Sequence, residues 1–163
     1  MTHPGFFPVR WFGINESTEV EPPFQTEEPL VSPLVAAGLA DAFGASVSDE
    51  KGHIILSVLQ FNGEGFENTY LEGAEVSFDV GYEVAAAQNS AAPGGFAPGT
   101  TTADGALVLI NVDTGDVTAT VAPPAGFSNC TLFAYNSGDG LGEYTVGVSA
   151  GMVTRFNIVC FAD

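Results

Sequence analysis

The sequence predicts an all-β chain, an antiparallel β-sandwich of about seven strands with one short N-terminal helix and an extended N-terminal segment. Three observations lead there. From residue 52 onward, apolar residues recur at every second position in short runs, the spacing of half-buried strands. Those runs are broken by turn-formers, with 20 Gly and 10 Pro in the chain alongside Asn and Asp. The runs themselves are rich in Val, Thr and Phe, which suit a pleated, packed surface. A length of 163 residues, 45% of them hydrophobic, fits one domain with a real core.

Residues 1–30 form the first division. They hold Pro4, Pro8, Pro22, Pro23 and Pro29 and the glutamates at 16, 19, 21, 27 and 28. Proline fixes φ and removes a backbone donor, so an extended, irregular path is expected. Phe6, Phe7, Val9, Trp11, Phe12 and Ile14 make this segment too apolar for a free tail. It must cover apolar surface, on its own domain or on a neighbour. Residues 31–51 form a helix and connector. Ser32 can N-cap, Pro33 suits the first helical position, and Gly44 can close the C-terminus. Leu34, Val35, Leu39, Ala42 and Phe43 mark its apolar stripe, which is expected to cover one end of a sheet.

Residues 52–163 form the sandwich. Residues 54–61 are an apolar run, read as a strand buried on both faces. In residues 74–80, Val76, Phe78 and Val80 point one way and Glu75, Ser77 and Asp79 the other. Residues 85–100 are small and Gly/Pro-rich and read as a long loop. Residues 107–112 are another apolar strand, 113–116 a turn, and 117–121 an alternating strand ended by Pro123 and Pro124. Then Cys130, Leu132 and Ala134 share a face, as do Tyr144, Val146 and Val148 beyond a Gly/Asp loop at 136–142. After the Ala150-Gly151 turn, Met152, Thr154, Phe156, Ile158 and Cys160 share the inner face of the last strand.

Charge narrows the partners. Twenty carboxylates stand against three cations, Arg10, Lys51 and Arg155, for a formal charge of −17. Such a chain repels phosphate backbones and anionic lipid, which argues against nucleic acid and membrane-surface partners. No apolar run is long enough for membrane insertion. The first residues lack a basic stretch followed by an apolar run, so no signal peptide is expected in them. The acidity reads as solubility in a salty or calcium-containing medium, or as divalent-cation binding. The candidate calcium ligands are Asn136, Asp139 and Glu143, oxygen donors spaced around glycines; the alternative is a solvated hairpin loop. Asp113 and Asp116 are a weaker pair, with a plain turn as the alternative.

Cys130 and Cys160 both point inward by the period-two argument. They can bridge if their Cα atoms lie within about 7 Å. A disulfide would imply an oxidising compartment; two reduced core cysteines are the alternative. These two cysteines, without CxxC spacing, and the distant His3 and His53 do not make a zinc site.

Four stretches in residues 52–161 together carry a family resemblance. Gly52-His53-Ile54-Ile55 opens the first strand, and Gly73-Ala74-Glu75-Val76 matches the pattern G-A-x-V. Thr101-Thr102-Ala103-Asp104-Gly105, then Asn111-Val112 and Gly115-Asp116-Val117-Thr118, matches T-x-x-D-G … N-V-x-x-G-x-x-T. Ala150-Gly151 precedes the last strand. In this order they resemble the carboxypeptidase regulatory-like (transthyretin-like, or prealbumin-like) β-sandwich domains. The resemblance implies an accessory domain, of the kind that accompanies hydrolases or sits in bacterial surface proteins, without catalysis of its own. The Ala/Gly stretch at 85–100 and the cysteine pair depart from the family's pattern.

No catalytic motif accompanies it. HExxH and HxxE are missing from the sequence, and Gly147-Val148-Ser149-Ala150-Gly151, which has the GxSxG spacing, lies between two alternating strand patterns and not at the strand-to-helix turn that this motif's chemistry needs. His53 is expected at a strand edge, paired with a carboxylate or with backbone. The expected function is therefore a non-catalytic, extracellular or cell-surface structural module. Its N-terminal strand-like segment would add to a neighbour's sheet edge, or pack back on its own sandwich. The alternative is an accessory module for a glycan or surface polymer, with Trp11, Phe96, Tyr82 and Tyr135 as candidate contacts.

Overall fold

The computed structural model describes residues 9–12, 33–61, 69–132 and 143–163. The side chains of residues 9–12 and 33–35 are not among those described. In chain order the elements are β1 (Val9–Phe12), α1 (Pro33–Ala42), β2 (Gly52–Gln60), β3 (Thr69–Tyr70), β4 (Glu75–Phe78) and β5 (Val84–Gln88). They continue with β6 (Phe96–Ala97), β7 (Leu107–Val112), β8 (Gly115–Ala122), β9 (Phe127–Leu132), β10 (Glu143–Val148) and β11 (Val153–Ala162).

Two sheets face each other. The large one runs β1-β11-β2-β7-β5-β6, with β3 also on β2 and β9 also on β11; the small one runs β10-β8-β4. Alternation explains the layer between them. Ile54, Leu56, Val58, Leu107, Leu109, Phe156 and Ile158 point inward from the large sheet and meet Val117, Ala119, Val121, Val146 and Val148. On the outer face of the small sheet Glu75, Ser77, Thr120, Glu143 and Thr145 are solvent-exposed.

The sandwich expected from the sequence is present, with two differences. The large sheet is mixed, because β11 runs parallel to both β2 and β1. The strand count is eleven among the described residues. Part of the excess lies where the sequence reads as a loop: β5 occupies 84–88 and β6 occupies 96–97. Runs of alanine carry little strand propensity, which hides β5. Ala86 packs on the outer face in one cluster with Ala36, Leu39 and Ala40 of α1, while Ala85 and Ala87 pack with the inter-sheet core.

That cluster is the second core. α1 covers the outer face of the large sheet at Ile55, Val84, Ile110 and Val153. The helix ends as its sequence suggests. Ala45 N–H donates to Ala40 C=O at 2.9 Å and Gly44 N–H to Asp41 C=O at 3.0 Å, with Gly44 at φ 76°. This is the Schellman arrangement, which glycine adopts without a Cβ penalty. Ala42 and Phe43, assigned to the apolar stripe by spacing, are exposed at this turn.

One bulge sets the inside–outside pattern of β7. Strict alternation through Leu107 and Leu109 would aim Asn111 into the core. The register shifts instead between Gly52 and His53 on the facing strand, so Asn111 is the extra residue and Val112 takes the inward position. Asn111 sits at φ 57°, a conformation asparagine tolerates better than most residues. Its Oδ1 accepts from Ser48 N–H at 2.9 Å, and its Nδ2 donates to Ser46 C=O at 2.6 Å and Glu83 Oε2 at 2.7 Å. It thus pins the α1–β2 connector to the sheet.

The Thr-rich stretch acts similarly. Buried Thr101 donates its hydroxyl to Leu71 C=O at 2.6 Å and accepts from Ala74 N–H at 3.0 Å. Three residues on, Asp104 accepts from Ser90 N–H at 2.7 Å and Ser90 Oγ at 2.9 Å, which holds its carboxyl below the usual range. The segment therefore fastens the residues leading into β4 to those that follow β5.

Candidate assembly edge

β11 is the longest strand, and its two edges differ. One is paired with β2 without a break from Val153↔His53 to Cys160↔Gln60. The other is shared. β1 takes the first part in parallel register, Val9↔Val153, Arg10↔Thr154, Trp11↔Arg155 and Phe12↔Phe156. β9 takes the last part antiparallel, from Ile158↔Leu132 to Ala162↔Phe127. Asn157 falls between the two. Its Oδ1 is a buried acceptor with no hydrogen-bond partner, a group that costs free energy in place.

The cysteines meet on this edge. Cys130 and Cys160 are directly opposite in register, with Cα atoms 3.9 Å apart, and form a disulfide. Both are buried in the inter-sheet core. The covalent ring from 130 to 160 passes through β10 of the small sheet, so it spans both layers. A second contact lies on top of it. Tyr144, on β10, donates its hydroxyl to the Cys130 carbonyl at 2.5 Å across the sandwich. Burial pushes the Tyr144 pKa up to about 12, so it stays a donor at any physiological pH. Alternation alone places Tyr144 inward, but no local pattern announces its acceptor, which belongs to the opposite sheet.

The remaining candidates are dispersed. Of the aromatic segment, Val9, Trp11 and Phe12 lie in β1, while Phe6, Phe7 and Ile14 lie outside the described residues. Of the calcium candidates, Asn136 and Asp139 lie outside the described residues, and Glu143 is the exposed first residue of β10. Among the described residues no group of three or more His, Cys, Asp or Glu could hold a metal ion. Asp113 pairs with Lys51, whose pKa is raised chiefly by that hydrogen bond. Phe96 packs with the α1 cluster, whereas Tyr82 meets Phe78 edge-on at 6.2 Å. These two belong to different packing groups, and Tyr135 and His3 lie outside the described residues.

His53 is not at a strand edge in the solvent sense: it is 3% exposed, inside β2. Its Nδ1 accepts from Asn111 N–H at 3.3 Å, which requires the neutral ring, and burial lowers its pKa. Among the described residues no helix is long and apolar enough to cross a membrane.

No family model and no curated protein matches the chain. Among solved structures it is similar to GBS52, the minor pilin of the gram-positive pathogen Streptococcus agalactiae. That likeness has a TM-score of 0.43 and 16% identity, and covers 70% of this chain and 45% of the pilin. It is also similar to the pilus-presented adhesin Spy0125 (Cpa), with a TM-score of 0.44 and 7% identity, over 72% of this chain and 28% of the adhesin. The chain thus spans less than half the length of the structures it resembles.

Proposed function

We propose that this chain is a non-catalytic structural module of the bacterial cell surface that self-associates by donating its N-terminal strand to another copy. On this reading residues 52–163 are the sandwich, of carboxypeptidase regulatory-like type, and 31–51 are its helix and connector. Residues 1–30 are the segment that reaches a neighbour. The family reading rests on the order of its motif residues in the sequence, and three of them, Asn111, Thr101 and Asp104, each fasten one segment of the sandwich to another.

The carrying observation is the way β1 is held. It pairs along the edge of β11 over four rungs, and twenty residues of sequence, 13–32, separate it from α1. A strand tethered in this manner can be exchanged between identical chains, since the contact made within one chain is available between two. Head-to-tail repetition of that contact gives a filament. The disulfide supports an extracellular location, because such bonds persist in oxidising compartments.

Deleting residues 1–15 and measuring molar mass and melting temperature tests the reading. Loss of concentration-dependent association is the expected result. An unchanged mass together with an unchanged melting temperature would refute a role for β1 both in assembly and in covering its own sheet.

A further inference from the structure

We propose that the Cys130–Cys160 disulfide fixes the length and register of the strand that β11 accepts from a second copy of this chain. The inference rests on the self-association reading above and specifies its acceptor. That acceptor is the stretch of β11 that β1 occupies in cis, residues 153–156, in parallel register. The occupant is a second chain's Val9–Phe12, because the same pairing already exists within one chain. The tether allows it: residues 13–32, fully extended, reach on the order of 60 Å, enough to cross to a neighbouring sandwich.

What limits the donor is β9. It closes β11 from Ile158 to Ala162, directly beyond the orphaned Oδ1 of Asn157. β9 is held there by the cross-strand disulfide and by Tyr144, which reaches its Cys130 carbonyl from the opposite sheet. With both in place, a donor strand cannot run past Phe156. Nor can it slide toward the C-terminal end of β11, and a slip by a single residue would turn every side chain to the wrong face. The oxidised edge therefore takes a four-residue parallel donor. When a dithiol reductant supplies two electrons and two protons, it becomes its own disulfide and leaves two cysteine thiols. β9 then depends on main-chain pairing at the sheet margin. The whole edge, residues 153–162, becomes open to a longer strand, the condition that sheet proteins ordinarily avoid.

The test compares the oxidised full chain, the same chain in dithiothreitol, and the Cys130→Ala/Cys160→Ala variant. Amide hydrogen exchange at low concentration reports the edge directly. Residues 158–162 should exchange at least ten-fold faster without the disulfide, while the β2 side of the sandwich stays protected. Sedimentation over a concentration series should show at least ten-fold tighter association without the disulfide, a gain that deletion of residues 1–12 removes. Tyr144→Phe keeps the disulfide and loosens the same strand, so it should shift exchange in the same direction by less; it serves if the cysteine variant does not fold. Unchanged exchange at 158–162, or a gain in association that survives the deletion, overturns the proposal and leaves the self-association reading standing. A chain that stays monomeric in every form, with the edge open, overturns both.

Discussion

Asn111 shows how much can depend on one side chain. It is buried, carries a positive φ, and uses both ends of its amide on the connector and on Glu83. Asn111→Ala removes those partners and leaves a β-carbon in left-handed backbone, so a loss of about 3 kcal/mol is expected in urea unfolding. Asn111→Gly keeps the backbone comfortable and should recover about 1 kcal/mol of that, which separates strain from hydrogen bonding. His53 beside it gives a pH signature. Its folded pKa lies below the ordinary 6.5, mainly through burial, with the Asp49 charge opposing. The unfolded chain therefore takes up the proton first. The stability contributed by the neutral ring is present above about pH 6.5 and is lost as pH falls from there through the folded pKa. Melting temperature should drop between pH 7 and 5.5, before most carboxylates titrate, and the drop should be absent in His53→Gln.

At the scale of elements, the period-two pattern was readable for the strands whose inner faces are large and apolar. β2, β4, β7, β8, β10 and β11 stand where alternation puts them. The pieces that escaped it have physical reasons. β5 is a run of alanines that shows no alternation of large and small, with Ala86 in the α1 cluster and Ala85 and Ala87 against the inter-sheet core, and β3 and β6 have two residues each, too few to show a period. The parallel pairing of β2 with β11 joins strands distant in sequence, and no local signal encodes which partner or direction a strand takes. The cysteines were readable as inward-facing; that they sit opposite one another was not, since register between β9 and β11 is a tertiary fact. Turn-like motifs proved to be fasteners between elements. Thr101→Val, nearly the same shape without the hydroxyl, leaves the Leu71 carbonyl and Ala74 amide without their partner. It should cost about 2 kcal/mol, measured by thermal or chemical unfolding.

For the molecule as a whole, the disulfide ring is the main covalent constraint on an otherwise weakly charged-paired, strongly acidic sandwich. Closing a loop of 30 residues restricts the unfolded chain by about 3–4 kcal/mol. Reduction should lower the urea midpoint accordingly at pH 7.

The parallel course of β1, β11 and β2 has a mechanical corollary. Residue 9 leaves the sheet at the end where β11 begins, and residue 162 leaves at the far end. A pull applied at these two points runs along the strands, and loads every β1–β11 rung together in shear instead of unzipping them one by one. The sulfur bridge then shortens the slack that a yielding molecule can release, because the thread between 130 and 160 stays out of the line of tension.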